Sequence, residues 1–439
     1  MRFLATRHVA RRATGLASAL ACALAAAAWA PPASAADMTI LHVFGGKKDG
    51  DNLGSPLIMD AAGNLYGTST FGGSRDGGTA FRLSPPADGA GSWAETVLFN
   101  FDAVNVIGAS ATGSEPRSSL WFGDDGTLLG TTSGGAPSGA GNVFQLTPPA
   151  SGTGAWTRTT VHVFASGDHD AGFPEGTPIP AGASATRFGT TVGGGPANIG
   201  ALYSLTPPTT PGGDWSEALL YSFTGSEGAK PTNDLVADAK GNLYGVAFIG
   251  GANGWGSIFR LSPPKKAGGR WTETTLYSFT GGADGRAPDQ RLTLDAQGAL
   301  WGTTASGGPH LLGNIFRLAP PKKAGQPWVF RNAHVFDAAA DGQSPHSGLV
   351  PDGAGGFYGT TGTGGAADCG TVYHFQPPAR SGQPGVLTTL HAFAGGAGGG
   401  FPYGDLLLKD GVLYEQTYGS DSADGLQCNG ASVAFKLVP

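Results

Sequence analysis

A Pro-Pro pair punctuates this chain at residues 85, 148, 207, 263, 320 and 377, in steps of 63, 59, 56, 57 and 57. The flanking text repeats as well. Residues 258–271 read IFRLSPPKKAGGRW and residues 315–328 read IFRLAPPKKAGQPW, identical at 11 of 14 positions. A period of this size marks an array of supersecondary units. It also reinterprets a content of 76 glycines and 31 prolines that would suggest disorder in an aperiodic chain. Here the glycines recur at fixed places, as turn residues do.

One unit, residues 234–282, contains four strand patterns: DLVAD, NLYGVAF, SIFRL and TETTLYSF. The first two are joined at Lys240-Gly241, and equivalent turns fall at Ala62-Gly63, Asp125-Gly126, Gln297-Gly298 and Asp410-Gly411. The last two alternate apolar with polar residues, the period of a strand. No segment carries a capped helical period. Four short antiparallel strands have two apolar faces and cannot bury both alone. Stacking the units and closing them into a ring buries the faces. The chain therefore predicts an all-β fold, a seven-bladed β-propeller with four antiparallel strands per blade. Third strands fall near Ala80, Val143, Leu202, Ile258, Ile315, Val372 and Ala434. Outer strands fall at 39–44, 96–101, 159–164, 218–223, 274–279, 331–336 and 388–393. Each set numbers seven. Because the array opens on an outer strand and ends on a third strand, the N-terminal strand is expected to close the last blade, 39–44 beside 431–437.

Residues 1–35 lie outside the array. Four arginines precede an Ala/Leu-rich run that ends in Ala33-Ser34-Ala35, the pattern of a secretory signal peptide cut after Ala35. The general secretory route is expected, leaving 36–439 as one propeller domain of seven repeats of about 57 residues. Without its signal the chain carries 22 Lys+Arg against 32 Asp+Glu, a net charge of −10. That balance does not suit a polyanion, whose phosphates are met by Lys and Arg, so nucleic acid is not an expected partner. No later run of 18 apolar residues suggests a membrane span.

The combination GNLYGT, Gly-Gly, GTVY or GNIF, TTLYSFTGG, then Asp-Gly and proline resembles the GloVer tandem repeat of exported bacterial choice-of-anchor proteins. The likeness runs over the whole array. It is best in units four and five and weakest in unit three, where ASATRFGTT has lost the glycine turn. The resemblance implies export and brings no catalytic signature with it. The absence of a sorting motif at Pro439 leads us to expect a free periplasmic or secreted protein, a monomer that binds a glycan, peptide or protein.

Variable interblade loops on a rigid scaffold are where function is expected. Following the loop prolines, Arg117, Asp234, Asp289, Arg291, His346, Tyr403 and Asp405 are the candidate ligand-binding residues at the channel mouth; a solvated rim is the competing reading. No catalytic residue, metal or cofactor is assigned. Asp49-Gly50, Asp284-Gly285 and Asp341-Gly342 read as turns before they read as calcium ligands. The cluster Asp168, His169, Asp170, Glu175 reads as a solvated loop. His42, His162, His334 and His391 read as strand histidines, and Trp93, Trp156, Trp215, Trp271 and Trp328 as anchors of the Pro-Pro connections. A glycan hydrolase or lyase with rim carboxylates as acid and base is the alternative function, and a surface structural protein is a third. Cys369 and Cys428 occupy similar loop positions in the last two units, and export permits a disulfide between them.

Overall fold

The computed structural model describes residues 36–439 except 46–47, 88, 90, 104–111, 124, 153, 166, 182–184, 211–212, 267, 324, 339–340, 379–382, 384, 420–427 and 429. The expected signal peptide lies outside the described residues, as do parts of the loops 102–116 and 418–430.

The strands form seven antiparallel blades, and no helix occurs among the described residues. Blade 1 pairs Ile58–Met59, Leu65–Ser69, Asp76–Ser84 and Ala94–Asp102 in that order. Blades 2, 4, 5 and 6 repeat this meander. In blade 3 the innermost strand is broken into Ala171–Pro174 and Ile179–Pro180, both paired to Arg187–Gly194. Blade 7 is assembled from both ends of the chain. Leu407–Lys409, Val412–Gln416 and Val433–Val438 are completed by Asp37–Val43, with Asp37 opposite Val438 and Val43 opposite Val433. This is the closure expected from the offset termini.

The blades adhere through one recurring contact. The phenylalanine ending each outer strand meets an aromatic ring on the third strand of the next blade. The pairs are Phe44–Phe81, Phe101–Phe144, Phe164–Tyr203, Phe223–Phe259, Phe279–Phe316, Phe336–Tyr373 and Phe393–Phe435. Centroids stand 4.9–5.6 Å apart, the range in which tilted rings attract, worth about 0.5–1.5 kcal/mol beyond the area buried. The third-strand ring must cross the second strand closely, which explains the repeated glycine of the YGT motif. A Cβ on Gly67 would stand 2.7 Å from Phe81 Cζ, and one on Gly245 2.6 Å from Phe259 Cζ.

A single extra residue slips the register between the third and outer strands at the same place in every blade, as at Ile258/Phe259 and Ile315/Phe316. Such bulges sharpen local twist. Toward the axis, the second-strand threonine reaches into the next blade's loop: Thr68 Oγ1 donates to Ser118 O (3.2 Å), Thr190 Oγ1 to Asn233 O (3.1 Å) and Thr360 Oγ1 to Pro402 O (3.1 Å). At the seam between blades 7 and 1, Gln416 does this in place of threonine, its Nε2 donating to Ser55 O at 2.6 Å.

The tryptophans of the Pro-Pro connections are partly buried and pack on the clusters between blades. Trp271 of blade 4 lies 5.3 Å from the Phe188 ring of blade 3, and Trp328 of blade 5 lies 6.3 Å from Tyr244 of blade 4. Cys369 and Cys428 are joined by a disulfide with Cα atoms 5.2 Å apart, in a buried cluster with Phe393, Phe401, Val433 and Phe435.

Two outcomes follow from this closure. Deleting residues 36–45 removes the outer strand of blade 7 and one ring of the aromatic circle, leaving strand Val433–Val438 as a bare edge. The truncated chain is expected to melt lower and to elute as aggregate in size-exclusion chromatography; an unchanged monomer would contradict the closure. Replacing both Cys369 and Cys428 by serine opens a cross-link spanning 59 residues. Chain entropy sets its worth at roughly 4 kcal/mol, to be read as lost denaturation free energy that reductant reproduces in the unaltered protein.

Candidate functional site

The interblade loops and the loops between second and third strands meet at the axis. A cavity of about 200 Å³ there is lined by Gly54 and Thr70 of blade 1, Arg117 of blade 2, Glu175 of blade 3, Asn233 of blade 4, and Tyr403 and Tyr418 of blade 7. Only the axis is shared by five blades. An adjoining cavity of about 350 Å³ adds Lys230, Asp289 and Gln290 and shares Glu175 and Asn233. His346 of blade 6 packs edge-on to Tyr403 at 4.7 Å and bonds Asp289 through Nδ1 at 3.0 Å. Tyr403 in turn stands at right angles to Tyr418, 5.4 Å away.

The seven candidate mouth residues thus occupy one region, at two depths. Arg117, Tyr403, Asp289 and His346 line or border the cavities. Asp234, Arg291 and Asp405 form a charged network beside them. Arg291 Nε approaches Asp405 Oδ2 at 3.2 Å. The Gly348 N–H donates to Asp405 Oδ1, and the Thr177 N–H to Asp234 Oδ1, each at 2.5 Å. Attraction to Asp405 holds the Arg291 guanidinium above its ordinary pKa against the effect of burial. Protein surrounds Arg291, yet 39% of its side-chain surface is exposed, as befits a group beside a channel. Desolvation raises Asp234, with Arg291 opposing. Arg117 is tethered by Glu115 Oε2 at 2.9 Å.

The loop acids serve their own backbone. Both oxygens of Asp49 accept the Gly45 N–H, at 2.8 and 2.9 Å. Asp284 accepts the Thr280 N–H at 2.8 Å and the Tyr277 hydroxyl at 2.9 Å. Asp341 accepts the Asp337 N–H at 2.7 Å. The cluster Asp168, His169, Asp170, Glu175 is split. Asp168 and His169 are exposed, Asp170 turns back onto the Ala165 N–H, and Glu175 goes to the axis. Burial holds Glu175 above the ordinary carboxylate range, opposed by Arg117 and Lys230. Another cavity, about 920 Å³, lies away from the axis between blades 2 and 3, lined by Trp121, Arg187, Asp214 and Trp215 on the Pro-Pro face. It draws on blades 2 and 3 alone, away from the point where the blades converge.

Lys230, Asn233, Tyr418 and Glu415 had no motif to announce them. Glu415 alone left a readable trace: blade 7 writes LYEQT where the other six blades place glycine in the YGT motif. Its side chain is 1% exposed, and neither carboxylate oxygen has a hydrogen-bond partner. Desolvation, and then the Asp405 charge, raise its pKa well above the ordinary 4.5; the Gly404 N–H offsets part of this without reaching hydrogen-bond geometry. An acid raised by folding holds its proton more tightly when folded than when unfolded. Its stabilising contribution is complete below pH 4.5 and is lost as pH rises from there through the folded-state value, by up to about 1.4 kcal/mol per pH unit. Glu415→Gln, an isostere of the protonated form, is expected to match the parent near pH 4 and to exceed it increasingly toward pH 8 in thermal melts. A constant difference across that range would contradict the buried, protonated assignment.

Solved structures resemble the fold at low identity. The extracellular domain assigned to a one-component system of B. thetaiotaomicron aligns over 92% of this chain with 12% identity and a TM-score of 0.50, and the chain spans 41% of that protein's length. The PQQ-bound aldose sugar dehydrogenase of Streptomyces coelicolor aligns over 82% of this chain and 98% of its own (16% identity, TM-score 0.43). The periplasmic gluconolactonase of Pseudomonas aeruginosa aligns over 85% and 99% (16%, 0.44). At these identities the likeness concerns the fold alone. No curated protein matches in sequence. The Gloeobacter/Verrucomicrobia repeat matches residues 29–203 and 176–431, and with seven blades built on its period the chain belongs to that repeat family.

Proposed function

We propose that this chain is an exported binding module whose ligand seat is the axial mouth, and that its ligand is a hydroxylated polar molecule of the glycan class. The carrying observation is the composition of the two joined cavities: cations Arg117 and Lys230, the carboxyl of Glu175, the amide of Asn233 and the rings of Tyr403 and Tyr418. Amides and charged groups offer hydrogen bonds to hydroxyls, and aromatic rings give a sugar face something to lie on. Two of the carboxylates proposed as acid and base in the enzymatic alternative are engaged elsewhere, Asp405 with Arg291 and the Gly348 N–H and Asp234 with the Thr177 N–H, while Asp289 bonds His346 through Oδ2 and leaves Oδ1 without a hydrogen-bond partner. Committed carboxylates favour a site that holds over one that turns over. Export rests on the signal-peptide pattern of residues 1–35.

One observation keeps a hydrolase or lyase reading alive. Glu175 lines both cavities with its pKa raised by burial, the condition of a general acid. A glycan and peptide array probed with the chain from Ala36 onward separates the readings. A hit on the glycan arm whose affinity falls tenfold or more in Arg117→Ala and Tyr403→Ala, and not in Asp214→Ala of the distant cavity, supports the axial seat. Dependence on Asp214 instead would overturn it. Turnover of that hit, lost in Glu175→Gln with binding retained, would move the assignment to an enzyme.

A further inference from the structure

At five of the seven blade junctions three sequence positions recur: the residue two before the terminal outer-strand phenylalanine, the acid of the loop that follows, and a residue near the start of the next blade's outer strand. Between blades 3 and 4 these are Tyr221, Glu227 and Glu273, and the phenol donates to Glu227 Oε1 at 3.0 Å. Between blades 4 and 5 they are Tyr277, Asp284 and Phe330; the phenol donates to Asp284 at 2.9 Å and Phe330 stacks on Tyr277 at 4.4 Å. Between blades 5 and 6 they are His334, Asp341 and Leu387, and His334 Nε2 closes on Asp341 Oδ2 at 2.5 Å. In each case the aromatic residue satisfies the acid directly.

Two junctions differ in the same way. Between blades 7 and 1 the set is His42, Asp49 and Glu95; between blades 2 and 3 it is His162, Asp170 and Glu217. Each set brings an imidazole nitrogen and two carboxylate oxygens within 4.8 Å of one another. The imidazole does not close on the aspartate: the Nε2–oxygen distances are 3.8 and 3.9 Å, beyond a hydrogen bond. Nε2 of both histidines and Oε1 of both glutamates are buried without a hydrogen-bond partner. Burial, reinforced by the neighbouring aspartate, pushes Glu95 and Glu217 up to about 7. The aspartates are pre-positioned by backbone donors, Gly45 N–H on Asp49 and the N–H groups of Ala165 and Ala171 on Asp170. Backbone bonds of this kind orient ligating carboxylates.

The geometry points to two equivalent zinc-type cation sites, each formed by histidine Nε2, an oxygen of the loop aspartate and glutamate Oε1, with a fourth position open to water. Zinc takes imidazole and carboxylate ligands tetrahedrally at about 2.0–2.2 Å, which spaces ligand atoms roughly 3.3 Å apart. The stand-off distances are therefore of the size that a shared ion would occupy and that a direct hydrogen bond would not. One ion per site would satisfy the orphaned nitrogen and oxygen together and balance two partly buried carboxylates. With His42 and His162 side chains 20% and 19% exposed, an ion can enter from solvent. Each ion would clamp the outer strand of one blade to that of the next, and the first clamp would sit on the seam where blade 7 meets blade 1.

The untagged chain from Ala36 onward, stripped with chelator, is titrated with Zn2+ against a chromogenic competitor. Two ions per chain are expected, one in His42→Tyr and none in the His42→Tyr/His162→Tyr double variant. Tyrosine holds the same position between blades 3 and 4 and between blades 4 and 5, so the substitution suits the fold, and circular dichroism of the metal-free variants checks this. Zn2+ should raise the melting temperature of the parent and leave that of the double variant unmoved. Glu95→Gln/Glu217→Gln, which leaves the histidines in place, should weaken binding tenfold or more. A parent that binds no Zn2+, or a double variant that still binds two ions, overturns the assignment.

Discussion

Seven ring-to-ring contacts hold the blades in a circle, and the rest of the molecule is arranged around them. Each joins a terminal phenylalanine to the next blade's third-strand aromatic. Because the ring lies across the second strand, that strand carries glycine at the crossing in six blades. The bulge in the outer strand recurs at the same register in every blade, next to the strand end that presents the phenylalanine. Blade 7 departs from the glycine rule with Glu415, and it is also the blade sewn from both chain ends. It carries further devices: Gln416 in place of the second-strand threonine, reaching Ser55 O, and the Cys369–Cys428 bond to blade 6.

Charge is distributed by depth along the axis. Beside the mouth, buried carboxylates are fed by backbone N–H groups and by Arg291 and His346. Lining the cavities, Arg117, Lys230, Glu175 and two tyrosines are drawn from separate blades. Lys230 lies within the inner strand of blade 4, Ala229–Ala237, which pairs with Leu243–Ile249, whereas Arg117 comes from one of the interblade loops. The same loops supply the acids that cap the outer strands, so one loop position serves stability at the rim while another, a few residues on, reaches the axis. The span from Asp170 to Glu175 illustrates this: the first residue secures the Ala165 N–H and the second lines both cavities.

Legibility in the sequence follows locality. Hairpin turns could be read because Asp60 and Asp238 accept N–H groups two and four residues ahead, a bond contained within the turn. The unit length, the seven-fold count and the sharing of blade 7 between the termini could be read because each repeat writes out its own strands. The brevity of the inner strands, two residues in blades 1, 2, 5 and 6, could not. Near the axis the carbonyls that lead into an inner strand accept from the second-strand threonine of the preceding blade, and those partners lie 50 and 42 residues away in the chain.

The period, the alternation and the offset ends thus determined by themselves that this chain is a seven-bladed ring closed by its first strand, since covering two apolar faces with identical units has few other solutions. They also brought Arg117, Asp289, His346 and Tyr403 to the mouth, because equivalent positions in a ring converge on its axis. Which of these groups is spent on a partner and which faces the cavity was decided only by the tertiary structure. The pairings Arg291–Asp405 and Asp289–His346 each join separate blades, and a bond between two different repeats is not written within either one.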